Sequence, residues 1–305
     1  ALYKNVVGVN NAAFGQGSLS NNLASNNTAF GYSALNANTT GTSNVAVGLD
    51  SLANNTIASN NTAVGFRSLF TNTTGANNTA VGNQALRLNV IGSNNAAFGI
   101  YALYNNTTNN NSAFGYKALF ANTIGTYNVA VGYYSLLSNN SGGYNTAVGY
   151  NTLSANTFGG YNVAMGVSAL ATNTTGNRNT AVGRGASALN AVGSKNSAFG
   201  FYALYGNTTN NNSAFGYKAL TANTTGAFNV AVGHTALQSN TVGNYNTAVG
   251  YLSLQQNTTG STNTAFGNTA LYLNTTGTSN SALGFQALTS NTVGINNNVI
   301  GRDDL

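Results

Sequence analysis

The segment NTAVGFRSLFTNTTGANNTAVG, residues 61–82, contains the pattern that decides the fold. It begins and ends with the same five residues, NTAVG, and the closing glycines Gly65 and Gly82 are 17 residues apart. Related segments recur along the whole chain, at intervals of 17 residues in fourteen cases and of 16 residues in three. A fixed period this short is typical of stacked β-coils, because helical-hairpin repeats are longer than about 30 residues.

Counted from the residue after a closing glycine, the repeat reads aromatic-x-(A/S)-L-x-x-N-T-x-G-x-x-N-x-A-(V/F)-G, and we number its places 1 to 17. Places 7 and 13 are Asn in every repeat. Place 4 is Leu in all repeats but one, in which RGASALN (184–190) moves the leucine to Leu189. The three short repeats lack the glycine of place 10, so we expect the deletion to fall in a turn and to leave the strand register intact.

The pattern predicts an all-β fold, a parallel β-solenoid of about 17 coils with 17 residues per coil. We expect two short strands in each coil, one through N-x-A-(V/F)-G, as in 61–65, and one through x-x-(A/S)-L, as in 66–69. Residues 1–14 form an atypical N-terminal segment, 15–301 a continuous array, and 302–305 a C-terminal tail. The array contains a 101-residue super-repeat at 99–200 and 200–301.

The invariant asparagines are predicted to have a structural role. Asn tolerates left-handed turn geometry, bonds to nearby backbone, and forms amide ladders when identical residues stack. The glycine of place 10 indicates a positive φ in the same turn. The predicted Asn ladders comprise Asn38, Asn55, Asn72, Asn89, Asn106, Asn122 and Asn139 at place 7, and Asn44, Asn61, Asn78, Asn95 and Asn128 at place 13.

The residues at places 15 and 16 are adjacent in a strand and therefore point to opposite faces. Both are apolar, so one apolar side chain per coil is left outside the core unless the coil is broader and the alanine lies at a corner. A continuous apolar stripe of this kind is larger than a monomer usually exposes, which predicts lateral association of chains. The predicted inter-chain stripe comprises Val47, Val64, Val81, Phe98, Phe114, Val131 and Val148.

The segments NTAVG, NVAVG and NSAFG resemble the repeats of the β-roll in trimeric autotransporter adhesin heads. The longer pattern G-Y-x-A-L-x-x-N-T-T-G-x-x-N-T-A-V-G is also similar to repeats of phage-type tail-fibre-like proteins. The resemblance covers nearly the whole chain, although the adhesin-head repeats are shorter than the 17 residues found here. It implies a trimeric fibre on a cell or virion surface, and no binding residue of the family has a counterpart here.

The composition excludes most enzyme classes. Charged residues make up 4% of the chain, Cys, Trp, Pro and Glu are missing, and His234 is the single histidine. General acid–base catalysis and metal sites need clustered titratable or ligating groups, so we expect no enzyme activity, no metal and no cofactor. The net charge of +6 comes from nine scattered basic residues, which does not favour nucleic acid binding. No apolar stretch is long enough to span a membrane.

Five features of the sequence are weighed for a functional role. His234 occupies place 1 of its repeat, where other repeats carry Tyr or Phe, as at Tyr217 and Tyr251, and is interpreted as a substituted ring. The threonines of place 8, such as Thr39, Thr56 and Thr73, resemble the flat threonine arrays of ice-binding proteins. Tyr and Phe at places 5 and 12 could stack on sugars or on a partner. Sequons such as Asn38-Thr39-Thr40 are turn residues first, and Asp303 and Asp304 are read as a polar exit from the last coil.

Together these patterns predict a non-enzymatic structural and adhesive fibre, extracellular and displayed on a cell or virion surface. Its expected partner is the chain itself, as a homo-oligomer, with a trimer implied by the resemblance; a surface glycan or a host receptor is a further candidate. Two alternatives stay open. One is a self-assembling, end-to-end extracellular filament, and the other is an ice-binding β-solenoid that uses the threonine column.

Overall fold

The computed structural model describes residues 1–302 and has the predicted fold, an all-β parallel β-solenoid of about 17 coils. Its described residues contain no helix, and so none that is long and apolar enough to cross a membrane. The predicted polar exit, Asp303 and Asp304, lies outside the described residues.

The chain divides into two compact units, each with nine strands of three residues. Unit 1 comprises Ala1–Asn151 and Asn156–Phe158, and unit 2 comprises Thr152–Ala155 and the described residues from Gly159 onward. The strands of unit 1 are β1 (Ala12–Phe14), β2 (Thr28–Phe30), β3 (Val45–Val47), β4 (Thr62–Val64), β5 (Thr79–Val81), β6 (Ala96–Phe98), β7 (Ser112–Phe114), β8 (Val129–Val131) and β9 (Thr146–Val148). Those of unit 2 are β10 (Val163–Met165), β11 (Thr180–Val182), β12 (Ser197–Phe199), β13 (Ser213–Phe215), β14 (Val230–Val232), β15 (Thr247–Val249), β16 (Thr264–Phe266), β17 (Ser281–Leu283) and β18 (Asn298–Ile300).

Within each unit, every strand pairs in parallel with the strand of the next coil, and alanine lies opposite alanine except in the last pair, where Ala282 of β17 lies opposite Val299 of β18. Ala63 of β4 lies opposite Ala80 of β5, for example. The register also holds across a 16-residue interval, where Ala97 of β6 lies opposite Ala113 of β7. The missing residue therefore falls in a turn, as predicted, and the side chains of the strand keep their faces.

The predicted second strand, residues 66–69 in the quoted segment, is wrong. The backbone there makes two successive turns, closed by Ser68 N–H to Gly65 O at 3.4 Å and by Asn72 N–H to Leu69 O at 3.2 Å. Arg67 and Leu69 have φ values of 51° and 49°, which are left-handed and incompatible with an extended strand. Each coil therefore has one strand, and turns form the rest of its circumference.

The core is a narrow stack of alanines and leucines. The central alanine of the strand, such as Ala63, and the leucine of place 4, such as Leu69, are both fully buried. The left-handed conformation costs a leucine about 1–2 kcal/mol, while burial of its side chain contributes roughly 1.5–3 kcal/mol. Burial is therefore enough to hold the strained backbone, and the two adjacent turns aim the leucine inward.

The expectation of a positive φ at place 10 is wrong as well. Gly75 does not have a positive φ; a Cβ there would lie 2.2 Å from Gly92 O and 2.6 Å from Asn72 Oδ1. Glycine is required here because the next coil approaches too closely for a side chain. The positive φ lies instead at the closing glycine of each repeat, for example +137° at Gly82.

One coil, residues 184–200, departs from this core. Ser187 takes the buried place of the leucine, and its hydroxyl group has no hydrogen-bond partner. Leu189, the leucine displaced in the sequence, does not replace it, since 44% of its surface is exposed. The core of unit 2 thus lacks one leucine at this level.

This difference predicts unequal effects for two neighbouring leucines. Leu204→Ala should lower the free energy of unfolding by about 3 kcal/mol, because it removes a fully buried side chain and leaves a cavity. Leu189→Ala should change it by no more than about 0.5 kcal/mol. Urea denaturation followed by circular dichroism measures both, and equal losses in the two variants would contradict the exposed position of Leu189.

Candidate functional site

The asparagines of place 7 form a buried ladder along the inside of the turns. Asn72 Nδ2 donates to Asn55 Oδ1 at 2.9 Å and to Gly75 O at 2.9 Å, and Asn55 Nδ2 donates to Asn38 Oδ1 at 2.9 Å. The same arrangement continues through the other asparagines predicted at this place in unit 1, Asn89, Asn106, Asn122 and Asn139. The hydrogen bonds of the ladder therefore connect residues within one coil and also connect each coil to its neighbour.

The asparagines of place 13 form a second ladder with a different bonding pattern. The backbone N–H of Asn61 donates to Asn44 Oδ1 at 3.0 Å, and that of Asn78 donates to Asn61 Oδ1 at 2.9 Å. Asn61 Nδ2 then donates to Gly75 O of the following coil at 2.9 Å. Asn95 and Asn128 repeat these bonds. Each amide group thus joins two coils.

The expected left-handed geometry of these asparagines is wrong. It occurs one residue earlier, at place 12, where Asn60 and Tyr127 have φ values of 61° and 57°. The ladder bonds also affect the sequons. Both amide hydrogens of Asn38 are used, toward Asn22 Oδ1 and Gly41 O, and the residue is fully buried. A glycan on this nitrogen is therefore incompatible with the folded coil.

In each strand, the side chain of place 16 points away from the buried alanine of place 15. We call these side chains the outer row. In Val131 and Phe114, 36% and 39% of the surface is exposed, although both are apolar. Phe98 and Phe114 stack at 5.0 Å between ring centroids. No strand of either unit contains a charged residue. In unit 1 the row includes Val47, Val64, Val81, Phe98, Phe114, Val131 and Val148, and in unit 2 it includes Met165, Val182, Phe199, Phe215, Val232, Val249, Phe266 and Leu283.

Aromatic rings of place 1 form a stacked row over a few neighbouring coils in each unit. Tyr116 and Tyr133 lie 5.2 Å apart, and Tyr133 and Tyr150 lie 5.5 Å apart. A hydrogen bond with the Tyr134 hydroxyl, together with some desolvation, raises the pKa of Tyr133 to about 12. Since neighbouring rings cover each other's faces, these rows present mainly ring edges to solvent.

His234 is one ring in such a row of unit 2. Its imidazole lies between Tyr217 and Tyr251, at 4.9 Å and 5.4 Å between ring centroids. Its Nδ1 lies 3.4 Å from the Thr235 hydroxyl oxygen. Residues 1–302 contain no group of three or more His, Cys, Asp or Glu side chains that could hold a metal ion. The stacked position explains how the imidazole fits between two tyrosines.

The threonines of place 8, which form the threonine column, donate hydrogen bonds from their hydroxyl groups to backbone carbonyl groups of the next coil. Thr39 Oγ1 donates to Thr56 O at 3.0 Å, and Thr241 Oγ1 donates to Thr258 O at 3.0 Å. These hydroxyl hydrogens therefore point along the stack rather than outward. Val90, Asn140 and Ala191 interrupt the column.

The basic side chains are dispersed and mostly pack on rings. Lys117 and Lys218 lie over the rings of Tyr116 and Tyr217, at 5.4 Å and 5.3 Å from the centroids. Arg67 forms an ion pair with Asp50 at 3.1 Å. Neither a scan of protein-family models nor a search of curated proteins finds a match to this chain.

Proposed function

We propose that this chain is a structural and adhesive fibre protein without enzymatic activity, in which three copies associate side by side through their outer rows. The β-solenoid fold is consistent with a structural repeat protein. The resemblance of the repeats to adhesin-head and tail-fibre-like repeats supports the trimer and a site outside the cell, on a cell or virion surface.

The outer row is the observation that carries the proposal. Apolar patches of more than a few hundred Å² are uncommon on the surface of monomers and mark interaction sites. Here the place-16 side chain of each coil is apolar and is exposed, as in Phe114, or half-buried, as in Val64, and the strands contain no charge to oppose association. A second copy of the chain presents the same row with the same spacing, so two rows can match coil by coil. A partner of another fold has no reason to share this period.

The proposal predicts a specific response to charges in the row. Phe98→Lys together with Val131→Lys should convert a threefold assembly into monomers, because lysines cannot be buried unpaired between chains. A matched control is Ile91→Lys with Ile124→Lys, in the same two coils but on the turn, where 64% and 65% of the side chains are exposed. The control should keep the mass of the wild type.

Light scattering with negative-stain imaging measures mass and shape, and circular dichroism checks that both variants keep the fold. A wild-type monomer at all concentrations, or an outer-row variant that keeps the threefold mass, would contradict the proposal. Long uniform filaments of wild type would replace the trimer by end-to-end assembly as the function.

A further inference from the structure

The coil 184–200 contains the clearest departure from the repeat, and a pit lies over it. Gly185 and Ala188 stand at places 2 and 5, where most coils carry larger side chains. The resulting cavity has a volume of about 270 Å³. Ala171 of the preceding coil and Tyr202 and Tyr205 of the following coil contribute to its walls, all within unit 2.

The coil 83–99, which lies 101 residues earlier in the sequence, shows what the pit lacks. Gln84 and Arg87, 101 residues before Gly185 and Ala188, precede the tyrosine pair Tyr101 and Tyr104. There Arg87 Nη1 donates to Gln84 Oε1 at 2.8 Å and to the Tyr104 hydroxyl at 2.7 Å. Two polar side chains are thus present where the coil 184–200 has Gly185 and Ala188.

The tyrosines of the pit are held in place by their surroundings. A Cβ on Gly185 would lie 2.2 Å from the ring of Tyr202, so this ring rests directly on the glycine backbone. Tyr202 and Tyr205 meet edge to face, with centroids 4.9 Å apart. Gly185 and Ala188 offer the Tyr205 hydroxyl no partner comparable to Arg87. The pit therefore has preformed aromatic walls and a hydroxyl group available to a ligand.

The positive charge of Arg184 indicates the sign of charge that a ligand of the pit should carry. Arg184 is the single charged residue among those lining the pit, and its guanidinium lies over the ring of Phe201, 5.8 Å from the centroid. Asp50, the one acidic residue in the described part of the chain, belongs to unit 1. A carboxylate is thus favoured, since guanidinium groups bind carboxylates in bidentate fashion. Val167 and Ala171 add aliphatic wall, and Ser168 adds a hydroxyl.

We infer that the pit over Gly185 binds one acidic sugar unit, a pyranose ring bearing a carboxylate. The apolar face of the ring packs on the tyrosine and alanine walls, its hydroxyl groups bond to the Tyr205 and Ser168 hydroxyls, and its carboxylate pairs with Arg184. The coil gives up stability at this site, because Ser187 replaces a core leucine and its hydroxyl is buried without a partner. Departures from local folding rules are expected where function requires them.

This inference gives the adhesive part of the proposed function a ligand class and rests on that function for its biological meaning. All residues of the pit come from one chain. Sugar binding and oligomeric state are measured separately, so either proposal can fail without the other.

The test uses the full chain with glucuronic acid and, as the uncharged comparison, glucose, followed by calorimetry and ligand-observed NMR. Wild type should bind glucuronic acid at one site per chain, and glucose more weakly. Arg184→Gln should weaken glucuronic acid binding about tenfold or more, while Arg178→Gln, which removes a cation of the preceding coil outside the pit, should leave it unchanged.

A filled-pit variant keeps the test independent of folding. Ala188→Arg places in the pit the side chain found at 87 and leaves Gly185, on which the Tyr202 ring rests, unchanged. We expect this variant to fold normally by circular dichroism and to lose binding. No saturable binding by wild type, full binding by the filled-pit variant, or glucose binding as tight as that of glucuronic acid would overturn the inference.

Discussion

Gly82→Ala should destabilise unit 1 by about 3 kcal/mol or more. The closing glycine has a φ of +137°, a conformation that side chains strain by about 1–3 kcal/mol. The new Cβ would also lie 2.5 Å from Gly99 O, a backbone atom of the next coil that cannot rotate away. Since Gly82 N–H donates to Val64 O at 2.8 Å, any shift of this backbone also weakens the contact with the preceding coil.

The effect should be local, because coils of a solenoid contact mainly their neighbours. Hydrogen exchange should show lost protection in β5 and β6 of the variant, while β1 and β2 keep theirs. Gly143→Ala is the matched control: Ala76 occupies the same place in another coil, and the nearest atom to the new Cβ, Thr126 O, is 3.1 Å away. Comparable loss of protection in the control would show that any added methyl group disrupts the stack.

Asn72→Asp should cost about 3 kcal/mol or more at neutral pH. Asn72 is fully buried, and its Nδ2 group supplies both the bond to Asn55 Oδ1 and the bond to Gly75 O. A carboxylate accepts hydrogen bonds only, so the exchange removes two donations and buries a charge beside oxygen atoms. Burying an uncompensated charge costs about 3–5 kcal/mol.

The pH dependence distinguishes this mechanism from a general packing defect. Burial beside acceptor oxygens raises the pKa of the introduced carboxyl. A raised folded-state pKa makes the variant relatively more stable below the unfolded-state pKa, and that advantage is lost as pH rises through the folded-state pKa. Denaturation midpoints should therefore approach those of wild type in acid. Asn54→Asp, at an exposed place of the same turn region, is the control and should show neither effect; a pH-independent loss at position 72 would contradict the ladder mechanism.

Much of the fold could be predicted because it depends on spacing alone. The 17-residue period and the alternation around Ala63 correctly predicted the parallel strands, their register and the buried alanine. The second strand was predicted from the β-forming residues near Leu69. The residue pattern carried no signal against it, because places 15 and 16 of the true strand are adjacent and apolar as well; the difference lies in the left-handed φ values of Arg67 and Leu69.

Other features require the neighbouring coils to be in place. From the sequence, Gly75 is interpreted as a glycine that a turn requires. In the structure, the carbonyl oxygen of Gly92 lies where a Cβ on residue 75 would be. The segment RGASALN is noticeable in the sequence as a displaced leucine. Its pit depends on Tyr202 and Tyr205, which approach Gly185 only after the chain has completed a further coil. Contacts of this kind depend on stacking, which local patterns do not encode.

The in-register stacking of identical coils also affects how such a chain can change over generations. A coil offers its upper neighbour the same set of bonds that it accepts from below, as Asn38, Asn55 and Asn72 show. A duplicated or deleted stretch of whole coils therefore joins to the rest without new interfaces. The 101-residue super-repeat is consistent with recombination of this kind. Duplications and deletions in the gene can therefore change the length of the solenoid without changing the structure of any coil.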